Sequence, residues 1–558
     1  MSTLTKKWWP TLTALSLALA TTVAHADERE SLEALRQTTL GLINALVDKG
    51  VLTREVADGM LKQAQSSSGT VPAGTATAKP VQRVPYVSDA MKAQIRNEVK
   101  EEVLTQARAE RWGVPNAVPA WVDRIKIDGD FRFRYQTDHP GSGNAPPSNY
   151  LQSEGDNLGT TRAADFGSFT SISNPVATGS TLDSRDRERL RLRLGLSAKV
   201  TDEVGVGVRL ATGNGTDRVS TNQTLGQNFN KYPLLVDRAY VRVDPVDWLS
   251  VQAGRLPNPW FSTDMVWNEN LNFEGLAATA RWARPEQPGF EPFATLGAFP
   301  LRESSPPARG GRWLYGAQLG AAWSPATRTR LKFGLAYYSY KNLEGHQDND
   351  YRYDGLSAQV LPGLTYGQYE YSSGLRQKGN TLFETNPSIP DTETPIWGLA
   401  YQFRPLTLTA SAELTHFSPY SLLLSAEYVK NTAFDAGDFR RRSGLALDPG
   451  GSDTGYQFRL AFGAAEVREA GQWQVSTTYR HLGSDAVLDA FTDSDMGLGG
   501  TNVQGYALAF TYGLYRNTSL GLRYLASRTI DSPINNTADF KDAQFKVNSL
   551  QVDFNVRF

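Results

Sequence analysis

Arg185, Arg187, Arg189, Arg191 and Arg193 take every second position in SRDRERLRLRLGLSAKV, residues 184–200. From residue 190 the alternate positions are Leu190, Leu192, Leu194 and Leu196. Period two is the strand period, because successive side chains point to opposite faces of a sheet. A helix would scatter these arginines around its axis. The segment is therefore a strand with one apolar and one strongly cationic face. A soluble sandwich would bury the leucines in a core. A membrane barrel would turn them to lipid and the arginines to a water-filled lumen, where fixed charge selects ions.

Other residues offer different chemistry and less of it. There is no cysteine, which removes disulfides, thiolate metal sites and cysteine nucleophiles. His139, His346, His416 and His481 stand at no metal-ligand spacing, and no GxSxG occurs. His416 lies two residues from Ser418, but that proximity alone makes no triad. ATGNGTD lacks the lysine and following helix of a phosphate loop. Asp485, Asp489, Asp493 and Asp495 cluster in SDAVLDAFTDSDMGLGG. The spacing is not that of an EF-hand, so an acidic external loop is expected, with a calcium site as the alternative. No catalytic residue, metal or cofactor is assigned.

The whole chain narrows the setting. Its 558 residues carry 57 Lys+Arg against 58 Asp+Glu, a net charge of −1 that gives no case for nucleic-acid binding. Mean hydropathy is −0.40, yet 11% of residues are aromatic and 49 are glycine, which suits alternating strands and tight turns. Residues 1–26 read as a secretory signal peptide: Lys6 and Lys7, a short apolar run, then Ala24-His25-Ala26. No later run is long enough for a membrane helix. Any span must then be made of strands.

Four N-terminal pieces are expected before the strands begin. After the signal peptide, residues 27–65 have helical spacing, 66–87 form a Ser/Gly/Ala/Pro linker, and 88–115 form another helix. These helices are placed in the periplasm, either as solvated helices or as a short trimerising coiled coil. From about residue 120 to Phe558 the pattern alternates with period two. Terse connections such as TDE, DPVD, SPATR, SPYS, REAG and YRNT alternate with long polar ones. That asymmetry predicts an all-β transmembrane barrel, up-and-down and antiparallel, of about 16 strands within a range of 14–18. PIWGLAYQFRPLTLTAS is taken as one strand, because an even total favours one. The final strand, ending in Phe558, carries the pattern expected to engage the barrel assembly machinery.

Several stretches together resemble the large porin family of Gram-negative outer membranes. They are DSRDRERLRLRLGLSAKV, VDRAYVRVDPVDWLSVQAGRLPNPWFSTDMVWNENLNFEGLA, YRHLGSDAVLDAFTDSDMGLGGTNVQGYAL and QVDFNVRF. The resemblance implies a β-barrel porin in the outer membrane, among lipid and lipopolysaccharide and open to homotrimer formation. It implies no particular solute.

On that reading, Arg132, Arg134, Arg189, Arg191, Arg193, Arg209, Arg238 and Arg242 are predicted to line the pore. For Arg185, Arg187 and Arg189 a second position stays open, above the bilayer and paired with Asp186, Glu188 or loop acids. Arg459, Arg480 and Arg523 add to the basic sector, and Asp128, Asp130, Glu413, Glu427 and Asp553 oppose it. The basic excess predicts a weak anion preference. In trimeric general porins the third long loop narrows the pore. Here that loop is LPNPWFSTDMVWNEN, and Asp264 and Glu269 would form the constriction. The alternative is an ordinary external loop with Trp260 and Trp267 on its rim or in an interfacial girdle. Passive diffusion of small hydrophilic solutes is expected. A substrate-specific channel, with Tyr337, Tyr338 and Tyr340 as an aromatic track, and an envelope-tethering barrel are the rivals.

Overall fold

The computed structural model describes residues 124–558 apart from 145–159, 162–180, 283–288, 305–309, 348–350, 354–357, 361–366, 373, 386–395, 445–449 and 532–543. The signal peptide, the linker and the expected N-terminal helices lie outside the described residues.

Sixteen long strands follow one another in chain order. They are β1 (Ile125–Pro140), β2 (Arg185–Lys199), β3 (Val204–Ala211), β4 (Leu235–Val246), β5 (Leu249–Pro257), β6 (Asn272–Arg281), β7 (Phe290–Arg302) and β8 (Arg312–Ala326). The second half comprises β9 (Thr329–Lys341), β10 (Pro405–Leu414), β11 (Ser421–Asn431), β12 (Thr454–Gly463), β13 (Trp473–Leu482), β14 (Val503–Tyr515), β15 (Thr518–Arg528) and β16 (Lys546–Arg557). Each pairs antiparallel with the next, and β1 pairs with both β2 and β16. The sheet is thus closed, and closure leaves no open edge.

The stretch expected as a single strand over PIWGLAYQFRPLTLTAS splits in two. Trp397–Leu399 joins a small separate sheet with Leu382–Glu384, and only Pro405 onward enters the barrel. Pro405 opens its strand because a proline, lacking an N–H, is tolerated at a strand's first residue. The loop between β11 and β12 carries a short helix, α1 (Ala436–Ser443), whose N-cap Asp435 accepts a bond from the Gly437 N–H.

The outer face is apolar, as period two requires. Leu196, Val208, Leu276, Leu296, Leu319, Phe333, Leu408, Leu460, Phe510 and Leu522 are all exposed on it. Tyr135, Tyr315, Tyr337, Tyr428, Tyr479 and Tyr506 are exposed toward the long-loop end. Trp248, Trp282, Trp323, Phe417 and Tyr515 are exposed beside the short turns, with Trp248 stacked on Trp282 at 6.2 Å. An apolar band between two aromatic rings is the surface of a lipid-spanning barrel.

The interior is not empty. Residues 258–271, 367–372, 374–385 and 483–502 fold inward from the long-loop end and pack a buried core. It includes Trp260, Met265, Trp267, Tyr338, Tyr371, Leu488 and Phe491. Gly254 and Gly275 face each other just below the first of these loops and both have positive φ. A Cβ would meet the Ala239 carbonyl oxygen at 2.5 Å from Gly254, and the Ala298 carbonyl oxygen at 2.3 Å from Gly275. Only glycine fits both positions, and the pair breaks the regular pleat where the chain leaves the wall.

Candidate functional site

Strand register decides which charges become neighbours. In the β1–β2 pair, Asp130 stands opposite Arg193, Arg132 opposite Arg191, and Arg134 opposite Arg189. All are on the inner face. Like charges directly opposite destabilise a sheet unless something intervenes. Here Asp130 bridges two arginines, at 2.8 Å from Arg191 and 2.6 Å from Arg193. Arg134 forks onto Asp553 of β16, with contacts of 2.6 and 2.8 Å. Arg132 donates to the Asn222 amide oxygen at 2.5 Å. Arg189 donates to Gln136 at 3.2 Å. Arg187 pairs with Asp138 of β1, not with Asp186 or Glu188 beside it.

The other predicted pore-lining arginines have partners of their own, and Arg209 and Arg238 stay within electrostatic reach of Arg193. Arg209 pairs with Asp237 at 2.5 Å, and Arg238 donates to Asn272 at 2.7 Å. Arg242 lies near the short-turn end, half-exposed, against Asp244 at 2.9 Å and Ser250 at 3.1 Å.

The third long loop turns inward, and side chains of the wall hold it. Phe261 exchanges two bonds with the Gln318 side chain, both 2.8 Å. Thr263 donates its hydroxyl to Glu427 at 2.5 Å. Asp264 meets Arg480 at 2.9 Å and accepts from Gln457 at 2.8 Å. Burial opposes ionisation of Asp264, yet the Arg480 guanidinium holds its carboxyl below the usual range. Trp260 and Trp267 are buried against Tyr338, at 5.2 and 5.0 Å, and so stand on neither rim nor girdle. Glu269 lines the same central cavity as Asp264.

The acidic segment 483–502 is not external. Asp485, Asp489 and Asp493 are buried and Asp495 is partly buried, and each has a different partner. Asp493 meets Arg480 at 3.0 Å. Asp495 meets Arg523 at 2.8 Å and Arg134 at 3.4 Å. Asp489 accepts from the Tyr371 hydroxyl at 2.5 Å, and Asp485 accepts from Thr381 at 2.7 and 2.9 Å. Among the described residues no three metal-ligating side chains converge, so the carboxylates are spent on separate contacts. Burial raises Asp493, whereas Arg134 and Arg523 outweigh burial and hold Asp495 far below the usual range.

The external position expected for this segment is therefore wrong. The segment is polar in composition, but it carries apolar residues at positions an external loop would not need. Val487, Leu488, Phe491 and Met496 are all buried. Those residues were the available signal. The proposed aromatic track does not exist either. Tyr337 is on the outer face, while Tyr338 and Tyr340 are buried on the inner one, as alternation demands.

Around these contacts lies a cavity of about 450 Å³. Arg132, Arg134, Arg459, Arg480 and Arg523 stand on its walls with Asp264, Glu269, Asp493 and Asp495. Below it, Arg330, Lys332, Arg459 and Glu413 line a second space of about 370 Å³.

A closed, lipid-spanning barrel with charged internal cavities belongs to the class of membrane channels. A family profile described as "Putative porin" matches residues 36–558, and the chain belongs to that family of outer-membrane channels. Among solved structures it is similar to Pseudomonas putida OprB, with 13% identity, a TM-score of 0.41, and coverage of 80% of this chain and 97% of that one. It is also similar to an anion-selective porin from Comamonas acidovorans, with 10% identity, a TM-score of 0.36, and coverage of 78% and 99%. For Salmonella typhi OmpF the values are 9%, 0.38, 78% and 97%. No match was found among curated proteins.

Proposed function

We propose that the protein is a passive diffusion channel for small hydrophilic solutes with a weak preference for anions. The balance of charge around the central cavity carries this reading. Asp264, Asp493 and Asp495 are each engaged by arginine. Arg132 has only an amide oxygen as acceptor, and Arg459 is exposed with no carboxylate bonded to it among the described residues. The lower space adds Arg330 and Lys332, with Glu413 the one acid among its described lining residues. Fixed cations that are not neutralised locally raise anion concentration in a narrow aqueous path. Asp264 and Glu269 are the proposed constriction residues, and the predicted pore-lining arginines the proposed wall.

The deciding experiment is single-channel current through the purified protein in a planar bilayer under a salt gradient. A reversal potential on the anion side supports the proposal. One on the cation side refutes the preference. Absence of current from a folded barrel refutes passive diffusion. A substrate-specific channel is the second reading, favoured by the three loops packed into the outer half of the lumen. A homotrimer remains part of the proposal, and crosslinking in native membranes tests it.

A further inference from the structure

A third cavity, of about 280 Å³, opens at the long-loop end, where strands β5 to β8 leave the wall. Its floor is apolar and buried: Trp267, Phe273, Phe299, Leu314 and Phe491. Its rim carries Arg218, Arg255, Arg302 and Arg312, and one acid, Glu274.

The hydrogen bonds of these arginines are unusual in kind. Arg312 donates to three backbone carbonyls, of Asn342 at 3.1 Å, Glu370 at 2.8 Å and Gln368 at 3.0 Å. Arg302 donates to the Gln368 carbonyl at 2.8 Å, and its buried Nε has no partner among the described residues. Arg218 donates to the carbonyls of Thr216 at 3.1 Å and Gly374 at 2.5 Å. Only Arg255 is ion-paired, with Glu274 at 2.5 Å. Carbonyls satisfy donor geometry but leave the formal charge uncancelled. Three guanidinium charges therefore border one apolar pocket with no carboxylate bonded to them among the described residues.

We propose that this pocket binds an amphipathic monocarboxylate, a compact apolar body carrying one anionic head. The head would meet Arg302 and Arg218, since guanidinium forks match carboxylate geometry. The body would cover the aromatic floor and lower the dielectric around the pair, which strengthens the attraction. An inorganic anion would leave the floor wet, and a neutral apolar molecule would leave the charges unanswered. Glu274, paired with Arg255 and also within electrostatic reach of Arg218, repels a second anionic group. The inference deepens the substrate-specific reading, but binding itself requires only the folded barrel.

The probe is benzoate, titrated calorimetrically into the full chain folded in detergent at low salt, with neutral benzamide as comparison. We expect saturable benzoate binding, with benzamide weaker by about tenfold or more. The double variant R218Q/R302Q should lose about tenfold or more in benzoate affinity, because charge-assisted bonds are removed. If the double variant does not fold, the exposed R218Q alone serves and should weaken binding in the same direction. R459Q, in the central cavity, should leave benzoate affinity unchanged. Equal binding of benzoate and benzamide overturns the proposal. So does wild-type affinity in the Arg218 variants, or an equal loss in R459Q, which would mean general attraction by the lumen. A barrel that conducts nothing but binds benzoate refutes passive diffusion and keeps the site. A barrel that conducts but binds no benzoate does the reverse.

Discussion

Arg480 of β13 meets Asp264, from the loop between β5 and β6, at 2.9 Å inside the barrel, and its other terminal nitrogen meets Asp493 at 3.0 Å. Strands far apart around the wall can be joined this way only through the lumen. One fully buried guanidinium therefore ties two inward loops to the wall.

Replacing it by methionine leaves two carboxylates without their cation. Breaking one side of a buried ion pair costs about 3–5 kcal/mol. R480M should lower the temperature at which the barrel loses its heat-modifiable mobility on gels, whereas D264N should lower it less. Channel recordings of R480M should show added current fluctuation as the loop at 258–271 comes loose. Unchanged melting in R480M would mean that the loops are held by their apolar core alone.

Arg459 is the exposed cation shared by the two stacked spaces. R459Q should move the reversal potential toward the cation side and reduce anion-over-cation permeability by about twofold or more in dilute salt. In 1 M salt, where screening acts within about 3 Å, the difference should shrink. A variant with wild-type selectivity at both salts would remove Arg459 from the selecting charges.

The loop cluster should be least stable near pH 6–7. Burial pushes Asp489 up from 3.8 to about 6, so the folded state holds this proton more tightly than the unfolded chain. Its contribution is largest below about pH 4 and is lost as pH rises to about 6, by up to about 3 kcal/mol. Burial pushes Lys378 down from 10.5 to about 7, so its contribution is lost as pH falls from the alkaline side toward 7. Amide-exchange protection factors across residues 483–502 should pass through a minimum between these values. D489N should flatten the acid limb and leave the alkaline one. A monotonic profile in the wild type would contradict this.

Barrel closure leaves little room at Gly129. Its N–H and carbonyl bond to Phe558 at 2.9 and 3.1 Å across the β1–β16 seam. A Cβ there would meet the Phe558 ring at 2.5 Å and the Arg193 carbonyl oxygen at 2.8 Å. G129V should destabilise the folded barrel by about 1–3 kcal/mol, the range for overpacking. Refolding yield into detergent, followed by gel mobility, measures it. Truncating the ring in the same chain should recover part of the loss, because the backbone contact remains.

The wall was legible in the sequence because its signals are local. Alternation of Leu190–Leu196 against Arg185–Arg193 fixes the faces of β2 without reference to any other strand. Lipid outside and water inside impose the same period on every strand. Turns such as TDE and YRNT could be read from their own few residues. Tertiary structure decided where the long connections went. Asp493 and Asp495 have the composition of a solvated loop, and Arg480, Arg523 and Arg134, brought from three other strands, make their inward placement favourable. The departure of Trp397–Leu399 from the barrel wall is of the same kind, whereas the separation of Tyr337 from Tyr338 and Tyr340 follows from alternation alone. A strand's faces follow from period two. A loop's position follows from partners on other strands, 13 to 361 residues away here, which no periodicity in its own sequence encodes.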